Sequence, residues 1–354
     1  VKVSLADSDG TAVGTEQTNA TGSFDNLEVG KYKITATLSD GTTEKKKVEK
    51  RINIKNLDDM SAYLFVHFVD TQEDATREQI YFSVSKDGKT WTTLNNKQPY
   101  LTSNVGTQGV RDPYILRGED GKFFIIATDL SVYNLKNNWT AAAQQGSKSI
   151  VVWESSDLVN WSEASLVKIN NDNAGCTWAP EACYDPEKDE YMVFWASVVS
   201  DDSYQKYRIY RSYTKDFKTF SAPELYIEEP NAVIDTTIID HEGTYYRFTK
   251  NEAKSSITMQ ECTSLSGDWK DVANYNLGSM TGYEGPTIYK LNGKNEWCLL
   301  LDYFSKSKGY KPFVTTDITK GEFTADSDFS FDGTYRHGTV MPITQAEYES
   351  LTAE

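Results

Sequence analysis

Ile80-Tyr-Phe-Ser-Val-Ser-Lys-Asp-Gly-Lys-Thr-Trp91, Ile150-Val-Val-Trp-Glu-Ser-Ser-Asp-Leu-Val-Asn-Trp161 and Ile209-Tyr-Arg-Ser-Tyr-Thr-Lys-Asp-Phe-Lys-Thr-Phe220 are three copies of one pattern: an apolar strand, a polar turn and a closing aromatic. Two looser copies run from Ile257 to Trp269 and from Pro312 to Phe323. The closing aromatics Trp91, Trp161, Phe220, Trp269 and Phe323 lie 70, 59, 49 and 54 residues apart. That spacing suits one four-stranded sheet per repeat, the unit of a β-propeller, and a repeat of this kind fixes the architecture before any single motif does.

A second set of segments interleaves with the first, each a short strand, a turn and an aromatic-rich strand. Its members are Asp112–Arg117 with Lys122–Thr128, Ala179–Tyr184 with Glu190–Trp195, Asp235–Ile239 with Thr244–Phe248, and Glu284–Tyr289 with Glu296–Leu301. Each repeat then supplies four strands, except that Ala62-Tyr-Leu-Phe-Val-His67 opens without a first one. The spare strand His337-Gly-Thr-Val-Met-Pro-Ile343 is expected to close the ring as the innermost strand of that blade, which removes open sheet edges. The fold class is therefore all-β, with a five-bladed propeller over 58–354.

Residues 1–57 read differently. Short alternating segments such as Val3–Leu5 and Tyr32–Ala36 stand between Asp9-Gly10, Gly22, Gly30 and Asp40-Gly41, which predicts a small β-sandwich-like module. The stretch Thr21–Ile34 resembles the immunoglobulin-like or prealbumin-like accessory modules of secreted bacterial proteins. The run Lys45-Lys46-Lys47 and Glu49-Lys50-Arg51 reads as a solvated strand face or linker.

Composition narrows the function. A net charge of -16 leaves no clustered Lys and Arg for phosphate contacts, so nucleic acid is not an expected partner. No apolar run approaches a membrane span of about 18 residues, so no membrane insertion is expected. The four cysteines, Cys176, Cys183, Cys262 and Cys298, show no CxxC spacing. Cys176 and Cys183 would stand roughly 23 Å apart along one extended strand, too far to bridge directly, and free thiols are expected. The chain opens at Val1 with neither Met nor a signal peptide, and is expected to be part of a longer multidomain protein.

In a propeller the first strand of each blade lines the axis, so the residues that begin those strands converge. Asp112, Asp235 and Glu284 begin three of them, in register; Trp178-Ala179-Pro180-Glu181 and His337 hold the other two positions. Glycosidic bond cleavage needs one carboxylate as base, one carboxylic acid to protonate the leaving oxygen and a further charge to tune that acid. Asp112 precedes Pro113 and Glu284 precedes Gly285-Pro286, so each also fits an ordinary turn. Asp240, with Glu242-Gly243, reads as a hairpin turn.

Around them, Trp178 is either a hydrophobic wedge or a platform for a sugar face. Arg111 and Arg336 either contact sugar hydroxyls or pair with the acids. Asp129 and Asp302 follow second strands and either line the pocket or serve turns. His337 is either a satisfied core histidine or a ligand of a metal or ordered water.

Val110-Arg-Asp-Pro-Tyr-Ile115, Trp178-Ala-Pro-Glu181, Val233-Ile-Asp-Thr-Thr-Ile238, Tyr283-Glu-Gly-Pro-Thr-Ile288 and Arg336-His-Gly338 resemble the motifs of glycoside hydrolase family 43 and its five-bladed relatives, over about residues 61–354. The resemblance implies that Asp112 is the general base, Asp235 the carboxylate that orients the acid and raises its pKa, and Glu284 the general acid. It implies an inverting, secreted or cell-surface bacterial enzyme acting on α-L-arabinofuranosides or β-D-xylosides of plant cell-wall polysaccharides. No cofactor is required for that chemistry, and a structural calcium near the axis is the one metal it leaves open, with His337 as ligand. A non-catalytic carbohydrate-binding propeller and an endo-acting arabinanase are the alternatives. The fructan-cleaving propellers share Arg111-Asp112-Pro113 and Glu261-Cys262, but no Asn-Asp-Pro-Asn precedes residue 111 and Glu261 falls on a third strand.

Overall fold

The structure is a computed structural model that describes residues 1–18, 24, 27–28, 30–40, 43–54, 59–69 and 74–353. The chain divides into two compact units, Val1–Asp59 with Tyr184–Glu190, and Met60–Cys183 with Tyr191–Glu354. The first carries one antiparallel four-stranded sheet, in the order Ala12–Thr18, Lys2–Asp7, Gly30–Asp40, Thr43–Ile54. The lysine-rich run forms the last of these strands, where Lys47 pairs with Glu49 at 2.7 Å on an exposed face. Gly22 and Gly41, expected as turns, lie outside the described residues.

The second unit is built of five sheets. Four are meanders taken in chain order: a first led by Val110–Arg117, a second by Trp178–Asp185, a third by Val233–His241 and a fourth by Glu284–Lys290. The closing sheet joins the two ends of the unit, because Arg336–Thr344 pairs antiparallel with Met60–Phe68. The sequence did not suggest its fifth strand, Ser330–Phe331, which lies parallel to Thr90–Thr93 at the outer edge.

Alternation explains the long apolar runs. Along Met60–Phe68, Leu64 and Val66 pack with Ile125 and Trp153 of the first sheet, while Tyr63 and Phe65 pack with Tyr289 and Leu300 of the fourth. Likewise Leu299 and Leu301 face the third sheet and Cys298 and Leu300 the closing one. Successive side chains point to opposite faces, so a strand covered on both faces must be apolar at every position. Burial of this kind stabilises each packed side chain by about 1.5 to 3 kcal/mol.

The polar turns of the repeat have one mechanism. In Ser85-Lys86-Asp87, Ser155-Ser156-Asp157 and Thr214-Lys215-Asp216 the aspartate carboxylate accepts from the amides two and three residues ahead, and the hydroxyl accepts from the residue that follows the aspartate. Local bonds of this type compete with strand continuation and turn the chain. Asp240 caps its hairpin as expected, accepting from Gly243 N at 2.9 Å. None of the four cysteines forms a disulfide. Among the described residues no helix is long and apolar enough to cross a membrane.

Phe65 is fully buried and meets Trp91 and Tyr335 edge-on. Phe65→Ala should therefore lower the unfolding free energy by about 3 to 5 kcal/mol, read from urea denaturation curves against the native chain.

Candidate active site

The leading strands share a local device. Each of four carries one residue with positive φ near its start, Asp112 at 50°, Ala179 at 47°, Asp235 at 50° and Gly285 at 51°. Where the register to the second strand is defined, it slips there: Arg111 pairs with Thr128 and Tyr114 with Ile126, Ile234 with Lys250 and Thr236 with Thr249, Glu284 with Asp302 and Thr287 with Leu300. The closing sheet slips too, between Arg336↔Phe68 and Gly338↔His67. A β-bulge of this kind inserts one unpaired residue and re-aims its side chain.

This register corrects the expectation that all three acids are equivalent. Asp112, Asp235 and His337 occupy the bulged position, whereas Glu284 stands one residue earlier, level with Arg111, Ile234 and Arg336. In the fourth sheet Gly285 takes the bulge, and it must be glycine. A Cβ there would lie 2.7 Å from His337 Cγ and 2.9 Å from His337 Cβ.

Residues from the first, third, fourth and closing sheets meet at His337. Its Nδ1 is 3.3 Å from Asp112 Oδ1 and 3.8 Å from Asp235 Oδ1, and Gly285 N donates to Asp235 Oδ2 at 3.1 Å. Burial disfavours a charged imidazole, but Asp235, Asp112 and Glu181 outweigh it and lift the His337 pKa to about 9. For Asp112, burial pushes upward; the bond and charge of His337, with Arg111 and Thr128, win and hold its carboxyl below the usual value. Thr128 Oγ1 completes its cradle, donating to Asp112 Oδ2 at 2.9 Å and accepting from Ala179 N at 2.8 Å. Asp235 goes the other way: burial, reinforced by Glu284 and Asp112, raises it to about 6 against His337 and Lys250.

Glu284 lies between two cations, with Oε2 3.0 Å from Lys250 Nζ and Oε1 3.3 Å from Arg336 Nη2. Arg336 also donates from Nε to buried Asp302 at 2.7 Å, and burial raises Asp302 to about 6 in spite of that arginine. Of the alternatives left by the sequence, Arg336 and Asp302 thus pair with each other beside Glu284.

Arg111 is occupied elsewhere. Its Nη1 meets Glu78 Oε1 at 3.1 Å, and its guanidinium lies over Phe68 and Trp139, 4.5 and 5.3 Å from the ring centres. Asp129 accepts from Thr107 N and Oγ1, and Trp178 stacks on Tyr207 at 5.4 Å. His337 Nδ1 faces the carboxylates of Asp112 and Asp235, and among the described residues no group of three or more His, Cys, Asp or Glu is arranged to hold a metal.

Sequence reasoning assigned no role to Lys250, Thr128, Glu78 or Glu181, although Glu181 stood within the quoted Trp178–Glu181 motif. The first two sit at the ends of second strands, opposite the bulges, so a pairing register would have found them. Lys250 is the plainer signal, a cation ending the aromatic run Tyr245-Tyr-Arg-Phe-Thr. Buried Glu181 is lifted to about 8 by burial, opposed by His337 and a hydrogen bond with Thr237.

The His337 shift sets a stability signature. A histidine held at about 9 in the folded chain, against 6.5 ordinarily, stabilises fully below pH 6.5 and loses that contribution as pH rises through 9. The native chain should accordingly lose unfolding free energy between pH 6.5 and 9, and His337→Gln should flatten that decline in denaturation curves taken across the window.

Residues 58–349 match the family described as probable glycosyl hydrolase domain, related to glycoside hydrolase family 43. An α-L-arabinofuranosidase of Bifidobacterium longum subsp. longum is 30% identical over 315 residues, a match covering 75% of this chain and 29% of that protein. The chain thus spans under a third of that curated relative's length. Among solved structures, a thermostable family-43 glycoside hydrolase aligns at TM-score 0.46 and 19% identity, over 64% of this chain and 75% of that one. The catalytic domain of the Coprinopsis cinerea GH62 α-L-arabinofuranosidase aligns at TM-score 0.47 and 17% identity, over 65% and 71%. With more than half of its length inside the match, the chain belongs to the family of glycosyl hydrolases related to family 43.

Proposed function

We propose that this chain is an inverting glycosidase that releases α-L-arabinofuranosyl, or β-D-xylosyl, residues from plant cell-wall polysaccharides, and that its five sheets are the blades of a five-bladed propeller preceded by a β-sandwich-like module. The observation that carries the reading is the convergence of three carboxyl groups on one centre: Asp112 and Asp235 lie 3.3 and 3.8 Å from His337 Nδ1, and Gly285, next to Glu284, donates to Asp235 at 3.1 Å. Such a set supplies a base, an acid and a third charge to tune the acid. The arabinofuranosidase name of the Bifidobacterium relative supports the substrate class.

In this reading Asp112, ionised at neutral pH, takes a proton from the attacking water. Glu284 gives its proton to the leaving oxygen, Lys250 and Arg336 fix the carboxyl in place, and Asp235 orients the pair from the neighbouring strand. A second reading exchanges the last two roles. It is favoured by the raised pKa of Asp235 and by the two cations at Glu284. We further propose a secreted or cell-surface location within a longer protein, as the polymeric substrate requires.

Assays on nitrophenyl α-L-arabinofuranoside and β-D-xyloside should show Asp112→Asn and Glu284→Ala each losing about a hundred- to ten-thousand-fold in kcat/KM. Unchanged hydrolysis by either variant removes its role, and sugar binding without product by the native chain removes the enzyme reading. Leaving groups separate the two acids. The variant lacking the true acid regains activity on dinitrophenyl glycosides, whose departure needs no proton; Glu284→Ala is expected to recover and Asp235→Ala is not.

A further inference from the structure

The acid of the proposed reaction stands where a proton is hard to keep. Glu284 lies 3.0 Å from Lys250 Nζ and 3.3 Å from Arg336 Nη2, and two cations so close favour an ionised carboxylate. Acid catalysis needs the opposite, a proton held until the leaving oxygen takes it. The cations must therefore be answered by a group other than Glu284.

Each of them has a second carboxylate. Lys250 Nζ is 2.9 Å from Glu252 Oε2, but the Glu252 side chain is 40% exposed and water screens its charge. Arg336 Nε donates to Asp302 Oδ2 at 2.7 Å, a shorter contact than the same guanidinium makes with Glu284, and Asp302 is fully buried. The arginine is braced in that pose. It pairs with Phe68 in the closing sheet, and its guanidinium lies 5.8 Å from the centre of the Phe68 ring.

Register ties the two carboxyl groups to each other. Glu284 and Asp302 are direct partners across the first two strands of the fourth sheet, a position in which like charges repel. One guanidinium spans both, so two carboxylates would leave one negative charge unanswered, and a single shared proton removes it. Asp302 Oδ1 is buried and accepts from no described residue, which makes a full charge there costly. Burial accordingly raises Asp302 to about 6 against Arg336, with Glu284 adding to the rise. The other charged groups around the pair are Asp235 and Lys250 from the third sheet and His337 from the closing one. Tyr310, which begins the third strand of the fourth sheet, has its hydroxyl engaged with Gly338 N and Gly338 O.

We propose that Asp302 is a positioning residue for the acid: it ties Arg336 through Nε and shares one proton with Glu284 across the strand pair, so that Glu284 keeps that proton between two cations. Having no exposed surface, Asp302 acts through Arg336 and not on the sugar. When the proton passes from Glu284 to the leaving oxygen, the same two cations stabilise the carboxylate left behind. The proposal rests on the reading in which Glu284 is the acid.

The full chain carrying Asp302→Asn tests this, because the amide oxygen still accepts from Arg336 Nε while the charge is gone. With the Arg336 charge then falling on Glu284 alone, the basic limb of the kcat/KM profile on nitrophenyl α-L-arabinofuranoside should move down by about one pH unit. At neutral pH kcat should fall about tenfold with KM unchanged, and dinitrophenyl α-L-arabinofuranoside should recover most of that loss. Adding Arg336→Gln to the same chain should bring the limb back up. A basic limb unmoved by Asp302→Asn, or equal losses on the two substrates, overturns the proposal. If Asp302→Asn does not fold, carbon NMR of the carboxyl groups in the native chain decides: one proton shared by Glu284 and Asp302 at pH 6 is expected, and two ionised carboxylates there overturn it. Failure of the underlying reading looks different. A native chain that hydrolyses no glycoside, or a Glu284→Ala variant that dinitrophenyl glycosides do not rescue, removes the acid and the proposal with it.

Discussion

Left-handed backbone near the start of a β-strand costs a residue other than glycine about 1 to 3 kcal/mol, and it persists only where the surroundings over-determine it. Asp112, Ala179 and Asp235 all accept that cost at equivalent places, and Gly285 avoids it. The return is geometric. Without the extra residue, the side chains at these positions would follow the pleat into the inter-sheet core, where an unpaired carboxylate is prohibitively expensive. With it, carboxyl groups from different sheets turn toward one another and toward His337, while the rest of each strand keeps the alternation that fills the hydrophobic layers.

Such a centre is stable only if its charges balance. Asp112, Asp235, Glu181, Glu284 and Asp302 are all buried or nearly so, and three cations answer them: the His337 imidazole, Lys250 and Arg336. Lys250 illustrates the competition. Burial alone would lower its pKa, yet Glu284, Asp235 and Glu252 together raise it. The balance falls short by design of the surroundings, and the surplus appears as carboxyl groups that keep protons to higher pH, Asp235 and Asp302 to about 6 and Glu181 to about 8. Proton-holding carboxyl groups next to an ionised one are what acid and base catalysis requires.

Much of this was legible in the sequence because it is written in repeats. The five strand–turn–aromatic segments fixed the number of sheets, and the spare strand at His337 found its partner at Met60–Phe68 because an unpaired apolar strand has nowhere else to go. That Asp112, Asp235 and Glu284 come together was read from position alone. The one-residue offset of Glu284 was not, since a bulge is a matter of backbone dihedral and Glu-Gly-Pro looks like Asp-Pro or Asp-Thr-Thr shifted by nothing. Lys250 and Thr128 were hidden for a related reason: they reach the centre across the ladder, from the end of a neighbouring strand, and pairing register is not visible in one strand's pattern. Arg111 looked like a sugar contact because its partner, Glu78, lies 33 residues upstream in a segment with no repeat signature.

Inversion requires a water activated by Asp112 on the face opposite the departing oxygen. Proton NMR of the sugar released in the first minutes from an α-L-arabinofuranoside reports that face directly, before mutarotation blurs it. The β-anomer should appear first. First appearance of the α-anomer would mean a covalent intermediate and retention, and would contradict the division of roles between Asp112 and the acid across the centre.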